Sequence, residues 1–157
     1  MRRSEKCLSA LERRGVGLDD LIECARFLHG PYEDIKDSTI ASVLVDILDK
    51  REVANALLCA IELDELCERD LFSDKALQEK IMYDDGLFGV DEVLAYGICN
   101  IYGSIALTNF GYIDKVKPGI IGKLNERKEG VCNTFLDDIV GALAASAASR
   151  MAHEKGS

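Results

Sequence analysis

The chain has 157 residues, enough for a domain with a real core, and 48% of them are hydrophobic, which excludes a disordered chain. Its formal net charge of −9 excludes a general nucleic-acid binder, because phosphate backbones are met by an excess of Lys and Arg. Ala and Leu are abundant, Pro occurs twice and Trp is absent. The expected fold is therefore all-α, one single domain over residues 1–157.

A short amphipathic helix, basic in sum, is expected over about 3–14. "GVGLDDLIECARFLHG" reads as a turn and then a helix over about 19–29, stopped by Gly30 and Pro31. A third helix is expected over about 39–49 with Ser38 or Thr39 as its cap. A fourth over about 51–69 keeps a helical period at Val53, Leu57, Ile61 and Leu66. A fifth follows over about 74–84, capped by Ser73. Gly86 and Gly89 then punctuate a loop, and a helix starts near Asp91.

That helix opens a long uncharged stretch. Residues 93–113 carry no charge over 21 residues, long enough to span a bilayer, yet they include Asn100, Ser104, Thr108 and Asn109. The stretch reads as a central buried helix over about 91–116, finished by Lys117 because the residue before Pro118 is biased away from helix. Residues 117–133 read as a mixed turn segment. The last helix is expected over about 135–153. Its small residues, among them Gly141, Ala142, Ala144, Ala145 and Ala148, permit close packing within the domain or between subunits. A homo-oligomer, dimer or tetramer, is the corresponding expectation.

The six cysteines, at 7, 24, 59, 67, 99 and 132, form no CxxC, and His29 and His153 are isolated, which argues against zinc. The first 14 residues hold no apolar run of signal-peptide length. Free thiols in a reducing cytoplasm, with at most peripheral membrane contact, are expected.

The acids are unevenly placed. Residues 62–92 hold eleven acids and three bases, while residues 114–130 hold five bases and three acids. Asp91 with Glu92, and Asp137 with Asp138, each stand at a helix start, where the dipole favours acids. Thr134 and Asp137 read as a capping box. Asp114 is different: near a helix C-terminus a carboxylate is disfavoured and needs a cation, either Lys115 or Lys117 or a bound metal. With Asp137 engaged as a cap, Asp138 is free to ligate, and Gly141, Ala142 and Ala145 leave room beside it. Carboxylates without His or Cys suit Mg²⁺, which bridges to a substrate phosphate. Lys117, held extended by Pro118, is then a phosphate contact. The expected metal set is Asp91, Asp114, Asp137 and Asp138, and the candidate catalytic carboxylates are Asp91, Glu92 and Asp138. Glu52 and Asn55, three apart on one helix face, are an additional pair. No GxxxxGK[ST] loop and no Ser-His-Asp set is present.

Three blocks carry a resemblance. "YDDGLFGVDEVLAYGI", "NFGYIDKVKPGII" and "NTFLDDIVGALAA" resemble, in order, the blocks of the phosphatidylglycerophosphatase A family, and "KREVANALLCAIELDEL" resembles its short soluble, YutG-like or low-temperature-requirement-C-like branch. The resemblance reaches from about residue 50 to 145. It implies an all-helical fold and Mg²⁺-dependent removal of the terminal phosphate of phosphatidylglycerophosphate. By carry-over, Asp91, Glu92, Asp114, Asp137 and Asp138 match the family's acids, and Lys117 its Lys-Pro lysine. Residues 1–49 depart from the membrane-bound members, which carry a Gly/Pro/Thr/Ser-rich N-terminal block and hydrophobic spans. The alternatives left open are a phosphatase for a soluble ester or nucleotide, and a non-catalytic helical oligomer that binds a ligand or partner.

Overall fold

The computed structural model describes residues 1–30, 34–86 and 88–156. Among these it has nine helices and no strand: α1 (Arg3–Arg13), α2 (Leu18–His29), α3 (Asp37–Leu48), α4 (Arg51–Glu68), α5 (Lys75–Met82), α6 (Val90–Tyr102), α7 (Ser104–Val116), α8 (Ile120–Asn125) and α9 (Leu136–Gly156). The expected Pro31 stop lies outside the described residues.

The buried central helix is α9, not the uncharged stretch. Every residue from 134 to 149 is buried. A helix that is apolar or small all round has no face to give to water, so it sits in the middle. Its alanines and glycine let α2, α3, α4, α6, α7 and α8 pack around it. A Cβ on Gly141 would stand 3.4 Å from Phe110 and from Ile113 of α7. The small residues are therefore used inside the domain. Gly141, Ala142 and Ala145 are all buried by neighbouring helices, so they do not leave the room for a ligand beside Asp138 that was expected of them.

The uncharged stretch is two helices rather than one. Gly103 ends α6 and starts α7 with φ 97° and ψ −170°, a conformation in practice reserved for glycine. Helix α7 then folds back against α6. In a continuous helix Asp91 and Asp114 would lie roughly 35 Å apart at 1.5 Å per residue. The hairpin instead puts the start of α6 and the end of α7 at the same end of the bundle. One face of the hairpin stays exposed, with Val93 at 62% and Tyr112 at 55%. Among the described residues no helix is long and apolar enough to cross a membrane.

Smaller differences have local causes. Helix α5 is capped by Asp74, whose carboxylate accepts from the Leu77 N–H at 3.0 Å, rather than by Ser73. Helix α3 begins at Asp37 with no side-chain cap, so neither Ser38 nor Thr39 plays that role. The turn segment contains α8, a six-residue helix too short to show a period. The six thiols are free, five of them buried and Cys59 exposed. Burial pushes Cys24 and Cys99 up to about 12, which keeps them protonated and inert.

Candidate active site

Two helices apart in sequence fix the start of α9. Asp64, fully buried on α4, accepts from the backbone N–H groups of Phe135 and Leu136 at 3.1 and 3.0 Å. It supplies the cap that Thr134 was expected to supply. The Thr134 hydroxyl donates instead to the Ile81 carbonyl at the end of α5. Arg14, at the end of α1, makes a two-point contact with Glu68 of α4 at 2.7 and 2.6 Å and also donates to the Cys132 carbonyl at 2.7 Å. Glu68 in turn accepts from the Cys132 N–H at 2.7 Å. Phe88 packs edge-on against Phe135, with ring centroids 6.0 Å apart. These contacts lock the segment that presents Asp137 and Asp138.

Both of those aspartates are 5% exposed. They face a cleft of about 250 Å³ whose walls include Asp84, Asp91, Asp114 and Lys117. Asp91 is buried in the first turn of α6, and Glu92 beside it is exposed on the rim. Asp137 does not close a capping box; its Oδ1 accepts from the Asp138 N–H at 2.9 Å. Lys117 ends α7 in the left-handed conformation, φ 52° and ψ 59°, not in the extended form expected before Pro118. That turn escapes the right-handed region that the proline disfavours, and it carries Nζ to 3.1 Å from Asp114 and 3.6 Å from Asp137. Asp114 therefore does have its lysine partner.

One lysine does not balance these acids. Burial is the main force pushing Asp137 up, and Lys117 offsets only part of it. Asp138 is pushed up by burial, then by the Asp137 charge, then by hydrogen-bond contact with the carboxyls of Asp91 and Asp114. Asp84 is raised by burial and by Asp91. Burial acts to lower Lys117, but Asp137, Asp114 and Asp138 outweigh it and keep the ammonium charged. Among the described residues no three His, Cys, Asp or Glu side chains stand ready to hold a metal ion.

The sequence missed Asp84, Asp85 and Asn125, all of which line the cleft. The signal for the first two was the Asp-Asp pair directly before Gly86, where the fifth helix was expected to end at about 84; Asp84 instead takes a positive φ of 49°, outside the helix. The sequence also missed Asp64, whose role lies 71 positions away. Glu52 and Asn55 are not brought to the cleft. Both are exposed on α4, and Glu52 acts on Tyr102, at the opposite end of α6 from Asp91.

The family model of Phosphatidylglycerophosphatase A matches residues 34–153, beginning some way before the expected start near 50. The chain is 50% identical over 151 residues to the uncharacterized protein YutG of Bacillus subtilis, covering 94% of this chain and 89% of that one. It superposes on the crystal structure of low temperature requirement C protein from Listeria monocytogenes with TM-score 0.94 and 47% identity, covering 100% and 99% of the two chains. Protein ypjQ from Bacillus subtilis gives TM-score 0.91 at 41% identity, with 98% and 95% covered. By this match over most of its length, the chain belongs to the phosphatidylglycerophosphatase A family.

Proposed function

We propose that the chain is a Mg²⁺-dependent phosphomonoesterase of the phosphatidylglycerophosphatase type, with its reaction centre in the acidic cleft. The observation that carries this is a charge imbalance. Asp84, Asp91, Asp114, Asp137 and Asp138 line one cleft, Asp91, Asp137 and Asp138 of them buried, and among the described residues Lys117 is the one lysine or arginine on its wall. Buried carboxylates left short of positive charge are unfavourable unless a cation completes them.

The donor set fits a hard dication. Besides the Asn125 amide, the side-chain oxygen donors are carboxylates, with no sulfur or imidazole among the described residues of the cleft walls. Mg²⁺ keeps several waters and needs few protein ligands, so side-chain rotation within the cleft serves it better than a rigid cage. Asp91, Asp114, Asp137 and Asp138 would hold it. When bound, the ion neutralises phosphoryl charge and lowers the pKa of water.

The chain's own residues do the rest. Lys117, pinned by its left-handed turn and by two aspartates, points a fixed ammonium into the cleft for a phosphate oxygen. Glu92 on the rim is the carboxylate free to take a proton from the attacking water. The α6–α7 hairpin and the Arg14–Glu68 clasp hold the reacting geometry. Phosphatidylglycerophosphate is the substrate that the family description points to, and a soluble phosphate ester is the alternative source of the same group.

The test is phosphate release with and without Mg²⁺, from phosphatidylglycerophosphate in detergent and from soluble esters. Metal-dependent release that disappears in Asp137→Asn/Asp138→Asn supports the assignment. Undiminished release in that folded double variant would sink it.

A further inference from the structure

The acidic cleft leaves the outer face of the α6–α7 hairpin unused. On α6 the exposed residues Val93, Tyr96, Gly97, Asn100 and Ile101 recur at helical spacing, and on α7 Ser104, Ile105, Thr108, Gly111 and Tyr112 do the same. Both helices pack on α9, so the two stripes form one face turned away from the core. None of these ten residues is charged, in a chain of which 30% is. None of them lines the cleft.

The face is large for a surface left to water. Val93, Tyr96, Ile101, Ile105 and Tyr112 are 38% to 62% exposed. At roughly 200 Å² for each whole side chain they present on the order of 500 Å². A monomer's largest apolar patch is ordinarily about 300–600 Å². The five smaller residues between them bring the face close to the about 800 Å² per partner of a standard interface. Phe27 of α2 stacks on Tyr112, with ring centroids 5.9 Å apart, and extends it beyond the hairpin.

Two glycines make the middle of the face low. Gly97 and Gly111 lie on either side of the Gly103 turn, about 9 and 12 Å from it along their helices, so they stand nearly level. A Cβ on either would meet nothing within 4 Å, in contrast to Gly141, which Phe110 and Ile113 crowd. Glycine is a poor helix former, and no described residue of this chain requires it at these two places. What an exposed glycine pair allows is the close approach of another backbone.

We propose that this face pairs with the same face of a second copy of the chain, the two hairpins crossing at Gly97 and Gly111. The charge pattern selects that occupant. In a two-fold contact each residue near the axis meets its own copy, so a charge there would meet its like. A face without charge suits such a contact, whereas a different protein could be met by opposite charge. A lipid surface is ordinarily met by Lys and Arg around an apolar face and by Trp at its edge. This chain has no Trp, and Asp91, Glu92 and Asp114 at the foot of the hairpin outnumber Lys115 and Lys117. The pairing does not depend on the phosphatase reading.

Sedimentation velocity over a concentration series tests it. The intact chain should run as a dimer, at twice 17.2 kDa. Val93→Lys/Tyr112→Lys charges an exposed face, so it should fold, with an unchanged circular dichroism spectrum, and run as the 17.2 kDa monomer. Gly97→Ala/Gly111→Ala should do two opposite things. Alanine favours helix, so the Tm of the dilute monomer should rise, while the added Cβ atoms hold the backbones apart and weaken the dimer about ten-fold. A rise in Tm with association unchanged overturns the proposal, because the glycines would then have no part in the contact. An intact chain that stays monomeric up to about 1 mM overturns it too, as does a dimer that Val93→Lys/Tyr112→Lys leaves whole. Phosphatidylcholine vesicles supply the last comparison. A monomer that floats with them, and ceases to in the lysine variant, overturns the pairing and gives the face to a lipid surface.

Discussion

Two groups of acids, each with buried members, flank the first turn of α9, and they are satisfied in opposite ways. On one side Asp64 and Glu68, both from α4, are met by three backbone N–H groups and by Arg14. On the other, the aspartates of the cleft share Lys117. The first group is closed by the fold and works as a clasp. The second is left open, and the fold carries its unfavourable charge. On the function proposed above, the first group belongs to the structure and the second is the one a cation would complete.

The largest expected break in this comparison is in turnover. Asp138→Asn should lower kcat/KM by about 10³-fold, ~4 kcal/mol at 1.36 kcal/mol per decade. It should not destabilise the metal-free protein. Burial and the neighbouring carboxyls already favour the protonated, neutral form of Asp138, so the Asn side chain replaces it without losing a charge and Tm without metal should change little. Millimolar Mg²⁺ should raise the Tm of the intact chain and do so less in the variant. A variant that is inactive because it melts early would place Asp138 with the clasp instead.

The clasp should behave conversely. Arg14→Ala strands Glu68, whose side chain is 21% exposed, and frees the Cys132 carbonyl. The expected loss is about 3 kcal/mol in urea unfolding, since breaking a largely buried pair leaves an uncompensated charge. An effect on kcat without a stability loss would contradict the division.

The two groups were not equally legible in the sequence. Paired acids at helix starts are visible as such, and Asp114 stands out because the dipole opposes it. Those local rules single out Asp91, Asp114, Asp137, Asp138 and Lys117, which the structure brings to one cleft. The convergence of these residues rests on the break at Gly103. A lone glycine in an apolar helical run is ordinarily tolerated, so the hairpin was hidden. Asp64 and Glu68 were lost in an acid-rich helix because their partners are 54 to 72 positions distant. Burial of α9 was missed because small residues fit an internal helix and a subunit contact equally well.

The hairpin offers an intermediate test. Any side chain at Gly103 must adopt φ near 97°, although a Cβ there meets open space. Gly103→Ala should therefore cost about 1–3 kcal/mol from backbone strain alone. It should also cost activity beyond that loss of stability, by loosening Asp114 and Lys117 relative to Asp91. Gly122→Ala probes the same end of α7 from the other side. Its Cβ would lie 2.8 Å from the Lys117 carbonyl oxygen, so the lysine turn must shift. There the expectation is about 10²-fold in kcat/KM together with a loss of stability, because the atom met is backbone and not the end of a flexible side chain.

The smallest effect is on the pH dependence of stability, and it separates two acids four residues apart on α4. Burial pushes Asp64 up from 3.8 to about 7, against the N–H bonds from Phe135 and Leu136, which pull it down. Between about pH 4 and pH 7 the folded chain then holds a proton that the unfolded chain has released. More protons bound in the folded state means that stability falls as pH rises through this window. Glu68 has the opposite sign. Burial raises it, but the Arg14 and Cys132 hydrogen bonds outweigh burial and hold it below 4.5. Its contribution is present above that value and is lost as acid titrates it. Metal-free stability should therefore peak on the acid side of neutrality, as read from urea midpoints at a series of pH values. Asp64→Asn should flatten the alkaline slope and Arg14→Ala the acid one. A curve whose two limbs respond to the same substitution would show that these acids titrate as one group, and that the clasp is not closed pair by pair as its hydrogen bonds imply.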